Sequence, residues 1–291
     1  MAKLNSFIRL ARPHQYMKNG FVWLPLFFAG QVHNLTAVLH TLYACIAFCL
    51  AASSIYVIND IKDAEEDKLH PLKKFRPIAS GEISRFEASG FFLVLLISTG
   101  ILSFSLLPDT FLYIIGGYII LNLAYSGFLK HIAIIDVVCI AMGFVLRVRA
   151  GGIAGDVAIS PWIMIMTFLL AMFLALAKRR DDLLLLDDGI GVRKSLDGYN
   201  MEFVSSSMIV MASVIIVSYI LYTVSPEVIA KHGTANLYLT AFWVIVGLLR
   251  YMQITFVKEQ SGSPTLILLK DYMLQATVAL WLVSIYLLIY H

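Results

Sequence analysis

Nine stretches of this 291-residue chain are mostly apolar for about 20 residues each, the length an α-helix needs to cross the hydrocarbon of a bilayer. They run over 17–35, 39–58, 87–107, 110–129, 132–150, 161–178, 204–224, 235–256 and 271–290. Lipid offers the backbone no water to bond, so spans must be helices or closed barrels. The alternation of a barrel strand is missing, which predicts an all-α integral membrane bundle of nine transmembrane helices. Only 14% of residues are charged, against about 25% in soluble domains. No cleavable leader is expected, and no linker or low-complexity tract divides the chain, so residues 1–291 read as one domain.

The connections carry charge unevenly. Lys3, Arg9, Arg12 and Lys18 precede or open the first run. Further basic residues fall at 62–85, at Lys130, at 178–194 and at 250–270. The intervening loops hold only Lys231. Positive loops stay inside, so the N-terminus and the charged loops are expected in the cytoplasm of a multi-pass plasma (inner) membrane protein. An odd number of spans then puts His291 outside. The lipid bilayer is one partner; no nucleic acid is expected. The three cysteines, Cys45, Cys49 and Cys139, lie in apolar runs without metal spacing and read as small hydrophobes. Gly116 and Gly117 offer a place for close helix approach.

The stretch NDIKDAEEDKLHPLKKFRPIASG, at 59–81, breaks this apolar pattern. Of 19 acidic residues, five fall within Asp60–Asp67, and Lys68, Lys73, Lys74 and Arg76 follow. If the second helix continues past the membrane surface, Asp60, Asp63 and Asp67 share one face within about 60°, with Asn59 at its border. Carboxylates so placed repel one another unless a cation sits among them. Hard oxygen ligands suit Mg²⁺, which keeps part of its shell for water and substrate phosphates. Asn59, Asp60, Asp63 and Asp67 are therefore candidate metal ligands and catalytic residues, with Mg²⁺ as cofactor holding a diphosphate.

The same stretch resembles the first signature of the UbiA superfamily of intramembrane prenyltransferases, an N-D-x-x-D-x-x-x-D motif followed by a basic segment. The resemblance implies a helical bundle around a central cavity, capped by cytoplasmic loops, in which Mg²⁺ activates a diphosphate leaving group. The segments RPHQYMKN (12–19), YSGFLKH (125–131), GFVLRVRAGG (143–152), ISPWI and LALAKRR resemble one branch, the decaprenyl-phosphate phosphoribosyltransferases. That likeness implies transfer of 5-phosphoribose from PRPP to a polyprenyl phosphate, supplying cell-envelope sugar donors. Four phosphates would then need partners, and Lys18, Lys73, Arg76, Lys130, Lys178 and Arg179 suit them, Arg as a fork and Lys as a point charge. Asn19, Tyr125 and Arg147 lie in the family-like segments and join the substrate-binding set, as does Asp182. The second acidic motif departs from the family: Asp181 and Asp182 are adjacent and flanked by Lys178, Arg179 and Arg180.

Other signals stay open. Arg147 and Arg149 fit either an outer helix end or a cavity, with Arg147 the better cavity residue. Asp136 fits a pair with Lys130 or a cavity wall. LLLLDDGIGVRKS, at 183–195, imitates the PRPP loop of soluble transferases but lacks the strand that motif requires. Asp187 and Asp188 read as solvated loop, and His70 as a loop residue. Two rivals remain: a prenyltransferase acting on an aromatic or quinone precursor, and a transporter. Transporter ion sites usually lie near the bilayer midplane, away from the boundary where this cluster falls.

Overall fold

The computed structural model describes residues 2–69, 73–187, 194–259 and 264–290. The chain divides into two units, Met1–Gly127 with Leu146–Ala158, and Phe128–Val145 with Ile159–His291. Both are all-α.

The first unit contains α1 (Ala2–Ala11), a 3-10 helix over Pro13–Trp23, α2 (Leu24–Phe28), α3 (Leu35–Lys62), α4 (Ala64–Leu69), α5 (Arg85–Leu106), α6 (Asp109–Gly127) and the later part of α7 (Ile135–Ala154). Asn34 starts α3 by accepting from the Ala37 amide, and Ser84 with Glu87 forms a reciprocal capping box at α5. Helix α3 is the core rod. Ala44, Ala47, Phe48 and Ala51 are buried against Phe111, Ile115 and Tyr118 of α6 and Ala150 and Ala154 of α7. Phe48 meets Phe111 edge-on at 6.2 Å and Tyr118 at 5.0 Å.

The second unit begins with the first half of α7 and continues through α8 (Pro161–Asp187), α9 (Met201–Val224), α10 (Pro226–His232), α11 (Ala241–Phe256), α12 (Pro264–Lys270) and α13 (Tyr272–Tyr290). Its core gathers Phe173, Leu176 and Ala177 of α8, Val204, Met208 and Ala212 of α9, and Leu248 and Tyr251 of α11.

Eight helices among the described residues are long and apolar enough to cross a membrane: α3, α5, α6, α7, α8, α9, Asn236–Phe256 and α13. Their outer faces fit lipid; Leu93, Val94, Ile97, Ile101 and Phe104 of α5 are all exposed. The run at 17–35 is the exception to the nine expected. It does not form a long α-helix. Arg12 adopts a left-handed conformation (φ 55°), Pro13 follows, and a 3-10 helix takes over. With three residues per turn, Tyr16, Asn19 and Val22 fall in line, whereas α-helical pitch would rotate each by about 60° from the last. All three are used. The Tyr16 and Ser53 hydroxyls are 2.8 Å apart, and Asn19 Nδ2 donates to Cys49 Sγ at 3.1 Å. The Val22 carbonyl lies so near α7 that a Cβ on Gly151 would stand 1.8 Å from its oxygen. At about 2.0 Å of rise per residue the 3-10 stretch reaches about 22 Å.

The glycines that admit close approach differ from those expected. A Cβ on Gly116 or Gly117 would meet nothing within 4 Å, because that side of α6 packs on no backbone. Gly151 and, in the second unit, Gly198 hold the tight positions.

Candidate functional site

The acidic stretch folds as a broken rod. Helix α3 ends at Lys62, Asp63 is its C-cap (φ −86°, ψ 2°), and α4 starts at once. The break does not separate the outer two aspartates. Asp60 and Asp67 are 2% and 3% exposed, and both accept from one guanidinium nitrogen, Arg76 Nη1, at 3.1 Å and 2.6 Å. Arg12 Nη2 also donates to Asp60 Oδ1, its guanidinium lying over the Tyr56 ring at 5.1 Å. Asp63 is half-buried. Two buried carboxylates thus meet two arginines that reach in from other segments.

Helix α1 fixes the loop that delivers Arg76. Arg9 Nη2 donates to the Phe75 carbonyl at 2.7 Å, and Arg9 Nη1 and the Ser6 hydroxyl bond Glu82. The Ser6 hydroxyl, helped by Arg9, holds the Glu82 carboxyl below the usual carboxylate range. Lys73, in the 3-10 turn just before Arg76, is half-buried.

Next to Asp60 in the chain, Asn59 Oδ1 is buried and has no hydrogen-bond partner among the described residues. An orphaned buried acceptor costs about 1–3 kcal/mol and calls for a reason. Among the described residues no three His, Cys, Asp or Glu side chains group as metal ligands. Mg²⁺ does not need such a cage, since one or two carboxylates plus substrate phosphates suffice. Asp60, Asp67 and the unused Asn59 Oδ1 are hard oxygens of the right kind, and a cationic nitrogen already occupies the point where the two carboxylates converge. The residues therefore fit a divalent ion.

Farther along α3 lies a second polar group. Of the two arginines on α7, Arg147 is 5% exposed while Arg149 is exposed. Arg147 Nε donates to Asn19 Oδ1 at 2.8 Å and Nη2 to the Tyr118 hydroxyl at 2.9 Å. The guanidinium lies 4.8 Å from the Tyr118 ring centre and 5.7 Å from that of Phe48. Cys49 accepts from the Asn19 amide and Cys45 donates to its carbonyl at 3.8 Å, so these thiols orient Asn19 as well as fill space. Lys18 and Tyr125 of this unit are half-buried.

The second unit has its own charged centre. Arg179 of α8 is 1% exposed; its Nε donates to Asp136 Oδ2 at 2.7 Å and its Nη1 to Asp182 Oδ2 at 2.5 Å. Asp136, fully buried near the start of α7, pairs here and not with Lys130. Its Oδ1 accepts from the Tyr199 hydroxyl at 2.6 Å. Burial and this hydrogen bond to Asp136 push the Tyr199 phenol up, so it stays a proton donor. Lys130, Lys178 and Asp181 are half-buried. The apolar run at 183–186 continues α8, so no strand feeds the PRPP-loop imitation. His70 and Asp188 lie outside the described residues, as does the side chain of Asp187.

The UbiA prenyltransferase family matches residues 20–270. The chain belongs to that family. Among UbiA relatives, a decaprenyl-phosphate phosphoribosyltransferase of Mycolicibacterium smegmatis is 31% identical over 97% of this chain and 92% of its own. Its Corynebacterium glutamicum counterpart is 30% identical over 98% of this chain and 87% of its own. A UbiA homolog from Archaeoglobus fulgidus, solved bound to DMAPP and Mg²⁺, has the same fold, with a TM-score of 0.71 at 20% identity over 98% of this chain and 99% of that one.

Sequence reasoning left three residues of these centres unassigned. Arg12 counted as topology charge and as the first residue of a family-like segment but had no role of its own, Tyr118 counted only as an apolar-run residue, and Tyr199 carried no signal. Their partners lie 48, 29 and 63 residues away, beyond the reach of any local motif.

Proposed function

We propose that the chain transfers 5-phosphoribose from PRPP to a polyprenyl phosphate, releasing diphosphate. The observation that carries this reading is the convergence of buried Asp60 and Asp67 on one cationic nitrogen, with Asn59, next to Asp60 in the chain, holding a buried Oδ1 that has no partner among the described residues. The choice of donor and acceptor is supported by relatives of that name at 31% and 30% identity along nearly the whole chain.

Asp60, Asp67 and Asn59, with Asp63 adjoining, would hold Mg²⁺, which would supply positive charge for the leaving diphosphate. The fold-related archaeal homolog was solved with Mg²⁺ and a prenyl diphosphate, which supports that assignment. Arg76 pairs with both Asp60 and Asp67, and Arg12 with Asp60. On donor binding Arg76 moves from the carboxylates to the diphosphate, joined by Lys73 and Lys18. Arg147, oriented by Asn19 and Tyr118, and Tyr125 serve substrate binding in the first unit. Lys130 and Lys178 supply phosphate-binding charge in the second, while Arg179, enclosed by Asp136 and Asp182, holds Asp182 to accept from ribose hydroxyls. The bond from ribose C1 to the diphosphate breaks with its electron pair on diphosphate. A phosphate oxygen of the lipid forms the new bond from the opposite face, inverting C1. No side chain need remove a proton, because a phosphate monoester is largely ionised near neutral pH (second pKa about 6). The basic loops face the cytoplasm, where PRPP is dissolved.

The test is incubation of the membrane-embedded protein with labelled PRPP, polyprenyl phosphate and Mg²⁺. A product carrying both ribose phosphate and lipid is expected. Turnover of a prenyl diphosphate with an aromatic acceptor, and none of PRPP, would replace this reading with the prenyltransferase one.

A further inference from the structure

We infer that Tyr199 is a positioning residue, acting through Asp136 and Arg179 to hold Asp182 for the donor substrate. The inference rests on the proposed role of Asp182. The argument begins with proton count. The Ile134 amide donates to the Tyr199 hydroxyl oxygen at 2.6 Å, and a backbone N–H can only donate. The single phenolic proton is therefore free for Asp136 Oδ1, at 2.6 Å. Asp136 Oδ1 also accepts from the Val137 amide at 2.8 Å, which leaves Oδ2 for Arg179 Nε. With Nε fixed, the fork of Arg179 extends Nη1 to Asp182 Oδ2. Each bond in this series selects the next.

Asp182 differs from Asp136 in one respect. Asp136 is fully buried and accepts from three donors, while the Asp182 side chain is 17% exposed and, among the described residues, only its Oδ2 is engaged. The series thus ends in a carboxylate gripped by one oxygen and open at the other, the form needed to accept from a sugar hydroxyl.

The backbone at the far end is strained to make this possible. Ile134 has φ 70°, a left-handed conformation that a β-branched residue rarely adopts. Gly198, next to Tyr199, packs so closely that a Cβ there would stand 2.4 Å from Ala133 Cβ. Strain of this kind persists only where surrounding contacts impose it, and it gathers at functional sites. Here it brings the Ile134 amide to the phenol oxygen.

The experiment compares Tyr199→Phe, Asp182→Asn and the double variant in the PRPP and polyprenyl phosphate assay. Tyr199→Phe should raise KM for PRPP about tenfold, the worth of one charge-assisted hydrogen bond, with kcat and the lipid KM little changed. Asp182→Asn should raise the same KM at least as much, and the double variant should match Asp182→Asn alone. Effects that multiply, or a Tyr199→Phe loss confined to kcat and melting temperature, would overturn the inference and leave Tyr199 as packing. If the wild type turns over prenyl diphosphate in place of PRPP, the phosphoribosyl reading fails. The same three variants then decide the Tyr199 role on that donor's KM: a shared, non-multiplying rise upholds it and an unchanged KM overturns it.

Discussion

The two units solve the problem of buried charge in opposite ways. In the first, the two carboxylates sit on successive helices, Asp60 on α3 and Asp67 on α4, and the arginines arrive from elsewhere, Arg12 from the entry to the 3-10 helix and Arg76 from the loop after α4. In the second, the arginine belongs to the spanning helix and is enclosed by carboxylates, with a tyrosine behind them. The exposure differs accordingly: the Arg76 side chain is 27% exposed, that of Arg179 1%. A guanidinium at the edge can leave; one sealed in cannot. The first centre is arranged to exchange its cation, and the second to keep it.

Four measurements can break or sharpen this contrast. The largest effect belongs to the exchangeable centre. Asp60→Ala should lower turnover by about 10³-fold or more, and chelation should abolish activity until Mg²⁺ is restored. Asp182→Asn should cost only about tenfold. Equal losses would remove the distinction.

Next come the arginines. Arg179→Ala leaves Asp136 buried without its ion partner, and breaking a buried pair costs about 3–5 kcal/mol, visible as a lower melting temperature in detergent. Arg76→Ala should reduce activity and lower the melting temperature less than Arg179→Ala does, because Asp60 keeps Arg12 and the Arg76 side chain is partly exposed. A Tm drop of similar size in both would show that Arg76 is as structural as Arg179.

The close-packed glycines follow. Gly151→Ala sets a methyl against the Val22 carbonyl, and Gly198→Ala sets one against the Ala133 side chain. Overpacking costs typically about 1–3 kcal/mol, and the backbone obstacle at Gly151 should make it the worse of the two in thermal unfolding.

The smallest effect is on pH. Glu82 in the first unit is held low by Ser6 and Arg9, and Asp271 in the second by its hydrogen bond from Arg250. A carboxyl with a depressed folded pKa stabilises above its unfolded value, about 4, and loses that contribution as pH falls through the lower folded value. Melting temperature should therefore decline slightly below about pH 4, and Glu82→Gln should flatten its share of the decline.

Eight of the nine expected spans were legible because α-helical hydropathy is a local property. The meeting of Asp60 and Asp67 was legible for the same reason, since Asn59, Asp60, Asp63 and Asp67 are set by spacing along one chain segment; that they hold a metal is the proposal. The spacing tolerated an error in the helix: the wheel assumed an unbroken rod, while the chain breaks at Asp63 and still brings Asp60 and Asp67 to one nitrogen. The partners were not legible. Arg147 stood open between a helix end and a cavity, favoured for the cavity by its family-like segment, but nothing in its neighbourhood named Asn19, 128 residues away. Asp136 stood open between a pair with Lys130 and a cavity wall; the fold gave it Arg179, whose planar fork meets two carboxylates at once. Tyr199 was missed because its role depends wholly on where the chain returns.

The Pro13–Trp23 helix works as a ruler graduated in threes. Removing one residue between Tyr16 and Asn19 would swing everything before the cut by about a third of a circle, turning Tyr16 off Ser53 while Asn19 stayed on Arg147. Removing or adding three would keep the phase but slide one end by about 6 Å. Both the turn and the reach of that stretch are therefore set, by the arginine that meets Asp60 at one end and the asparagine that steadies Arg147 at the other.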